Sequence, residues 1–108
     1  MKNKSNSIIY LTATLGLILA SNVQADDDDV AEIQATAQAA GLISLQEASE
    51  KALQAKPGTI VETDLDRRMW PLAGWDYEFD IVDAQGLKWE VEVDGKTGES
   101  RRVMRDYF

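Results

Sequence analysis

The sequence predicts an α+β domain: one N-terminal helix packed on a three- to four-stranded antiparallel meander sheet. Three observations carry that expectation. "ISLQEASEKALQAKPG" has a capping residue, apolar residues at helical spacing and a Pro-Gly stop. Three later segments, "TIVETDL", "WDYEFDIV" and "LKWEVEV", alternate apolar and polar residues with the period of a strand. Between the second and third lies "DAQG", and after the third "DGKTG", both turn-forming runs.

Residues 1–25 combine Lys2 and Lys4, the apolar run "IIYLTATLGLILA" and a small residue at Ala25, which is the pattern of a cleaved secretory signal. The apolar run is too short to span a bilayer of about 30 Å. Residues 26–42 follow as an acidic, alanine-rich leader, read as disordered or a loose helix. Asp26–Asp29 form a solvated run, Val30, Ile33 and Ala37 share one helical stripe, and Gly41 stops it. Residues 43–108 form the domain proper. There Ser44 caps the helix with Glu47 three residues on, and Leu45, Ala48, Ala52 and Leu53 make its apolar stripe.

Alternation sets the expected inward residues of the strands. They are Val61, Thr63 and Leu65 in the first, Trp75, Tyr77, Phe79 and Ile81 in the second, and Leu87, Trp89, Val91 and Val93 in the third. A three-residue loop, Ala84-Gln85-Gly86, pairs Ile81 with Trp89 and Phe79 with Val91, with Gly86 in the left-handed conformation. "ESRRVMR" after Gly98 is expected to add a short edge strand.

Composition narrows the function classes. All 19 acidic residues and nine of the 11 basic ones follow residue 25, a net charge of −10 there. Nucleic acid and anionic membrane surfaces select the opposite charge. The absence of histidine and cysteine removes the commonest general base, the thiol nucleophile and soft metal sites, so no catalytic residue, metal ligand set or cofactor is assigned. Gly95-Lys96-Thr97 looks like the end of a phosphate-binding loop, but Glu90 stands where that loop needs its first glycine. The stretch is read as a turn.

The ordered set Ser44, Glu47, Ala48; Pro57, Gly58; Tyr77, Glu78, Phe79, Ile81, Asp83, Gly86; and Val93, Asp94, Thr97, Gly98, Glu99 resembles the PepSY domain over roughly residues 43–102. The chain departs from the pattern in an enlarged first hairpin, "RRMWPLAG", and in Gly95 where the family often has alanine. The resemblance implies a non-enzymatic interaction module acting outside the cytoplasm, periplasmic or secreted. Its implied partner is another exported protein, with a peptidase the candidate to be inhibited or modulated, and it brings no catalytic residues.

Two features stand out as candidate sites. Arg67, Arg68, Met69, Trp70, Pro71 and Leu72 place large apolar groups between arginines at a hairpin tip. They are either a partner anchor or, through Trp70, a cap folded back on the core. The second feature is the outward face of the sheet, with Glu62, Asp64, Asp76, Glu78, Asp80, Glu90 and Glu92. With Leu65 facing Trp75, Asp64 would face Asp76 and Glu62 would face Glu78; Glu78 would also face Glu92, and Asp80 would face Glu90. Like charges directly opposite are destabilising, so a cation is expected there. Arg101, Arg102 and Arg105 of the edge strand are one source, and a basic partner peptide or held cations another. An acidic cation-binding or sensing module is therefore the alternative function.

Overall fold

The computed structural model describes residues 27–107, so the expected signal segment lies outside the described residues. The elements in order are α1 (Asp27–Ala40), α2 (Leu45–Ala55), β1 (Thr59–Arg68), β2 (Gly74–Val82), β3 (Lys88–Asp94) and β4 (Ser100–Arg105). The four strands form one antiparallel sheet in the order β1-β2-β3-β4, with the helices N-terminal to it. This is the expected α+β architecture.

The leader is helical from Asp27 to Ala40, and the stripe foreseen there buries Ile33 and Ala37 in the core cluster. Packing of that stripe supplies what alanine-rich propensity alone does not. Gly41, at φ 71°, ends α1, and the Leu42 N–H returns to the Ala37 carbonyl at 2.9 Å. The Ser44 hydroxyl then caps α2, accepting from the Glu47 N–H at 3.0 Å. Leu45, Ala48 and Ala52 bury against the sheet, where alanines allow close approach.

The core is the helix-covered sheet face: Tyr77, Phe79 and Ile81 of β2, Val91 and Val93 of β3, and Ile60 of β1. The β2–β3 register matches the expectation from parity, with Ile81 opposite Trp89 and Phe79 opposite Val91. Gly86 has φ 79°, and Asp83 ties the loop by accepting from the Gln85 and Leu87 N–H groups, each at 2.9 Å. The other Asp83 oxygen accepts from Trp89 Nε1 at 2.9 Å, and the first of these effects, the Leu87 N–H, leads in holding this carboxyl below its usual pKa. Gly58 is required by close approach, since a Cβ there would meet Ile81 Cγ2 at 2.7 Å and collide with the Val82 carbonyl.

Three expectations need correction. A bulge between Ile60 and Glu62 leaves Val61 exposed and turns Ile60 into the core instead. The β1–β2 hairpin closes tighter than expected, so Leu65 faces Tyr77 and Arg67 faces Trp75. Consequently Asp64 faces Glu78, Asp66 faces Asp76 and Glu62 faces Asp80. A second bulge between Glu92 and Val93 shifts the edge strand, and Arg105 lies opposite Trp89, on the helix side of the sheet.

Candidate functional site

The uncovered face of the sheet is a grid. Outward residues of β1, β2 and β3 align in three rows across the strands: Glu62–Asp80–Glu90, Asp64–Glu78–Glu92 and Asp66–Asp76–Asp94. All nine are carboxylates. Strand alternation alone puts them there, because every inward position between them is needed for the core. Every acidic residue expected on this face does lie on it. Asp66 and Asp94 complete the grid and were not foreseen, although Glu62, Asp64, Asp66 and Arg68 continue a single alternation that a longer first strand would have explained.

Cations from the chain itself cover part of this grid. Arg102 reaches Glu90 and Glu92 at 3.5 and 3.7 Å, Arg101 reaches Asp76 and Glu92 at 2.9 and 3.4 Å, and Lys88 lies 3.6 Å from Asp80. The bulge in β4 lets consecutive residues Arg101 and Arg102 both serve the same face. Arg105 does not contribute: its guanidinium sits 6.0 Å from the Trp89 ring and 4.8 Å from that of Tyr107.

Arg68 belongs to this face rather than to the hairpin tip it adjoins. Its guanidinium bridges Asp76 and Asp94, the latter at 3.4 Å, while Nε donates to the Leu72 carbonyl at 2.8 Å. The hydrogen bond to Asp76 leads in raising the arginine's already high pKa. Gly74 makes room for it, since a Cβ there would press on the Arg68 guanidinium, with Cζ at 3.2 Å. Asp76 is consequently buried under Arg68 and Arg101. Burial pushes the Asp94 carboxyl upward, but donation from the Thr97 and Lys96 N–H groups at 3.0 and 2.8 Å, with Arg68, outweighs it and leaves the pKa lowered. Asp94 thus shapes the "DGKTG" turn, whose Gly98 has φ 78°, and this is the turn-making role expected of Asp94, Thr97 and Gly98.

The centre of the grid is different. Glu78 is flanked by Asp64 and Asp66 of β1 and by Glu90 and Glu92 of β3. Ligand oxygens of Asp64, Asp66 and Glu78, and separately of Glu78, Glu90 and Glu92, lie within 4.8 Å of one another. Burial first, and then the charges of Asp66 and Glu90, push Glu78 up to about 7, with a hydrogen bond to Asp66 contributing in the same direction. On β1, Glu62, Asp64 and Asp66 make no ion pair among the described residues. Charge on the face is therefore balanced toward β4 and unbalanced toward β1.

At the end of the β1–β2 hairpin, Met69, Trp70 and Leu72 are 70, 82 and 75% exposed. Trp70 therefore does not fold back as a core cap. The Trp70–Pro71 peptide is cis, and Arg67 lies 6.0 Å from the Trp75 ring on the helix side. With Arg68 bonded to the Leu72 carbonyl beneath it, the five-residue tip is anchored to the sheet while its apolar side chains face outward.

No helix among the described residues is long and apolar enough to cross a membrane. No curated protein and no solved structure matches the chain. A family model does: that of the peptidase propeptide and YPEB domain, over residues 42–103. The match takes in α2 and the sheet through Val103 and covers more than half of the 108 residues, so the chain belongs to the PepSY family.

Proposed function

We propose that the protein is a non-enzymatic module, exported and freed of residues 1–25, that binds another protein outside the cytoplasm through the β1–β2 hairpin tip. The family's description makes a peptidase the first partner to test. The observation that carries the reading is the exposure of Met69, Trp70 and Leu72 together on one anchored turn. Three large apolar side chains in water at a tip contribute nothing to the core, whereas tryptophan and methionine are favoured at the centres of interfaces.

The experiment is a double substitution, Trp70→Ser with Leu72→Ser. Partners are identified by cross-linking in the exported fraction of the native host, and affinity is then measured with the purified partner. The urea midpoint should stay nearly fixed while affinity falls roughly thirtyfold, as for loss of an anchor worth about 2 kcal/mol. Unchanged affinity would remove the tip from the interface.

A second reading, an acidic module that binds or senses cations, is supported by the two overlapping carboxylate triads at Glu78. Calcium titration by calorimetry separates the two. Defined stoichiometry at millimolar or tighter affinity favours the cation reading, because a calcium site needs a fixed oxygen cage.

A further inference from the structure

We propose that the free edge of β1 takes up an extended segment of another protein, bearing arginine or lysine at alternate positions, as a fifth strand of the sheet. This rests on the reading of the domain as a binding module and names the chemistry of its partner.

The first support is the asymmetry of the acidic grid. At the β4 edge the chain lays Arg101 and Arg102 across Asp76, Glu90 and Glu92. At the β1 edge the corresponding column, Glu62, Asp64 and Asp66, makes no ion pair among the described residues, and Glu78 stands beside it. A strand added beside β1, with basic residues on the open side, would do there what β4 does at the other edge. Opposite charges paired across strands are stabilising, and like charges are not.

The second support is the backbone. Among the described residues, β1 has a neighbouring strand only on its β2 side. The Leu65 N–H is bonded by the adjacent Asp64 carboxylate at 3.0 Å rather than by a strand. Side chains alternate along the strand, and so do the backbone groups, which places those of Thr63 and Arg67 on the same free side as Leu65. An incoming carbonyl would replace Asp64 at the Leu65 N–H and release that carboxylate to meet a cation. Thr63 Oγ is buried without a hydrogen-bond partner on the helix side of this same strand, and a cross-strand threonine or serine is an ordinary way to satisfy it.

Charge selects the occupant. Carboxylates along an edge discourage indiscriminate strand pairing and would repel an acidic or self-complementary strand. A second copy offers either its own β1, which would set two acidic columns side by side, or its β4, whose Arg101 and Arg102 are already engaged. A basic strand from a different chain meets neither obstacle. The apolar tip lies at the end of the same edge, so one partner could use both.

The test uses the protein as isolated from its host, titrated calorimetrically with an eight-residue peptide alternating arginine and threonine. Saturable one-to-one binding that weakens with salt is expected. Glu62→Gln, Asp64→Asn and Asp66→Asn together should weaken it about tenfold or more, and removing these like charges should leave the fold intact. Should that triple variant not fold, the unmodified protein still decides the matter. Methylating the peptide nitrogens at alternate residues should abolish binding for one of the two sets, because a strand turns only every second N–H toward its neighbour. Equal tolerance of both methylated peptides, equal affinity for a peptide with its arginines in one block, or heat explained by self-association of the protein would overturn the proposal. Should the peptide fail while capture of a natural partner still depends on Trp70 and Leu72, strand addition is wrong and the binding module stands. Loss of both would overturn both.

Discussion

On the helix-covered side of the sheet, Tyr77, Phe79, Ile81, Val91 and Val93 are fully buried; on the other side, β1, β2 and β3 together carry nine carboxylates in adjacent rows. The same strands therefore hold positions fixed by shape next to positions fixed by charge. Packing makes the first set intolerant of change, while mutual repulsion makes part of the second set a cost to the folded state. A surface that opposes folding at rest is one that a cationic partner can relieve.

The largest effect should come from the covered face. Phe79→Ala is expected to destabilise by about 3–5 kcal/mol, the range for truncating a buried large aromatic, measured by urea denaturation. A loss below about 1 kcal/mol would show that the helices do not seal that side.

Asp76 breaks the simple division, because it lies on the acidic face yet is buried by two arginines. Asp76→Ala strands Arg68 and Arg101 and should cost about 2 kcal/mol, less than a fully buried pair because Arg101 is partly exposed. It should also loosen the tip, since Arg68 ties the Leu72 carbonyl to Asp76. A neutral outcome would reduce Asp76 to one more solvated carboxylate.

How much was legible in the sequence follows the same division. α2 could be read because its cap, stripe and stop agree, and the β2–β3 register because one three-residue loop satisfies the parity of both strands. β1 could not be read as well. Ile60 and Val61 are adjacent β-branched residues, either of which fits a strand interior, and the bulge that selects Ile60 leaves no mark on the alternation. The tip length was misjudged at the other end of the strand, because β1 runs on to Arg68 rather than ending at Leu65, and with it went the pairing of Glu62 and Asp64. The bulge at Arg101 likewise sent Arg105 to the wrong face. The acidic face survived these errors because its residues share a side whatever their row. The reach of Arg68 back over Asp76 and Asp94 is a three-dimensional fact, and in one dimension it reads only as part of "RRMW".

The smallest expected change reads out the proton that burial and the surrounding carboxylates hold on Glu78 at the centre of the open face. Glu78 has its pKa raised to about 7 in the folded protein from an ordinary 4.5, so the native state holds a proton more tightly than the unfolded chain. Its contribution to stability is fully present below pH 4.5 and is lost as pH rises through about 7. Asp83 and Asp94, both lowered, act oppositely: their stabilisation is present above the ordinary carboxylate value of 3.8 and is lost as pH falls through their folded values. The measurement is the melting temperature from pH 5 to pH 8, for the protein and for Glu78→Gln. The protein should become less stable across this range while the variant, with no proton to lose at that position, stays nearly flat. A protein whose stability is constant or rises from pH 5 to pH 8, or a variant that keeps the full slope, would contradict the account.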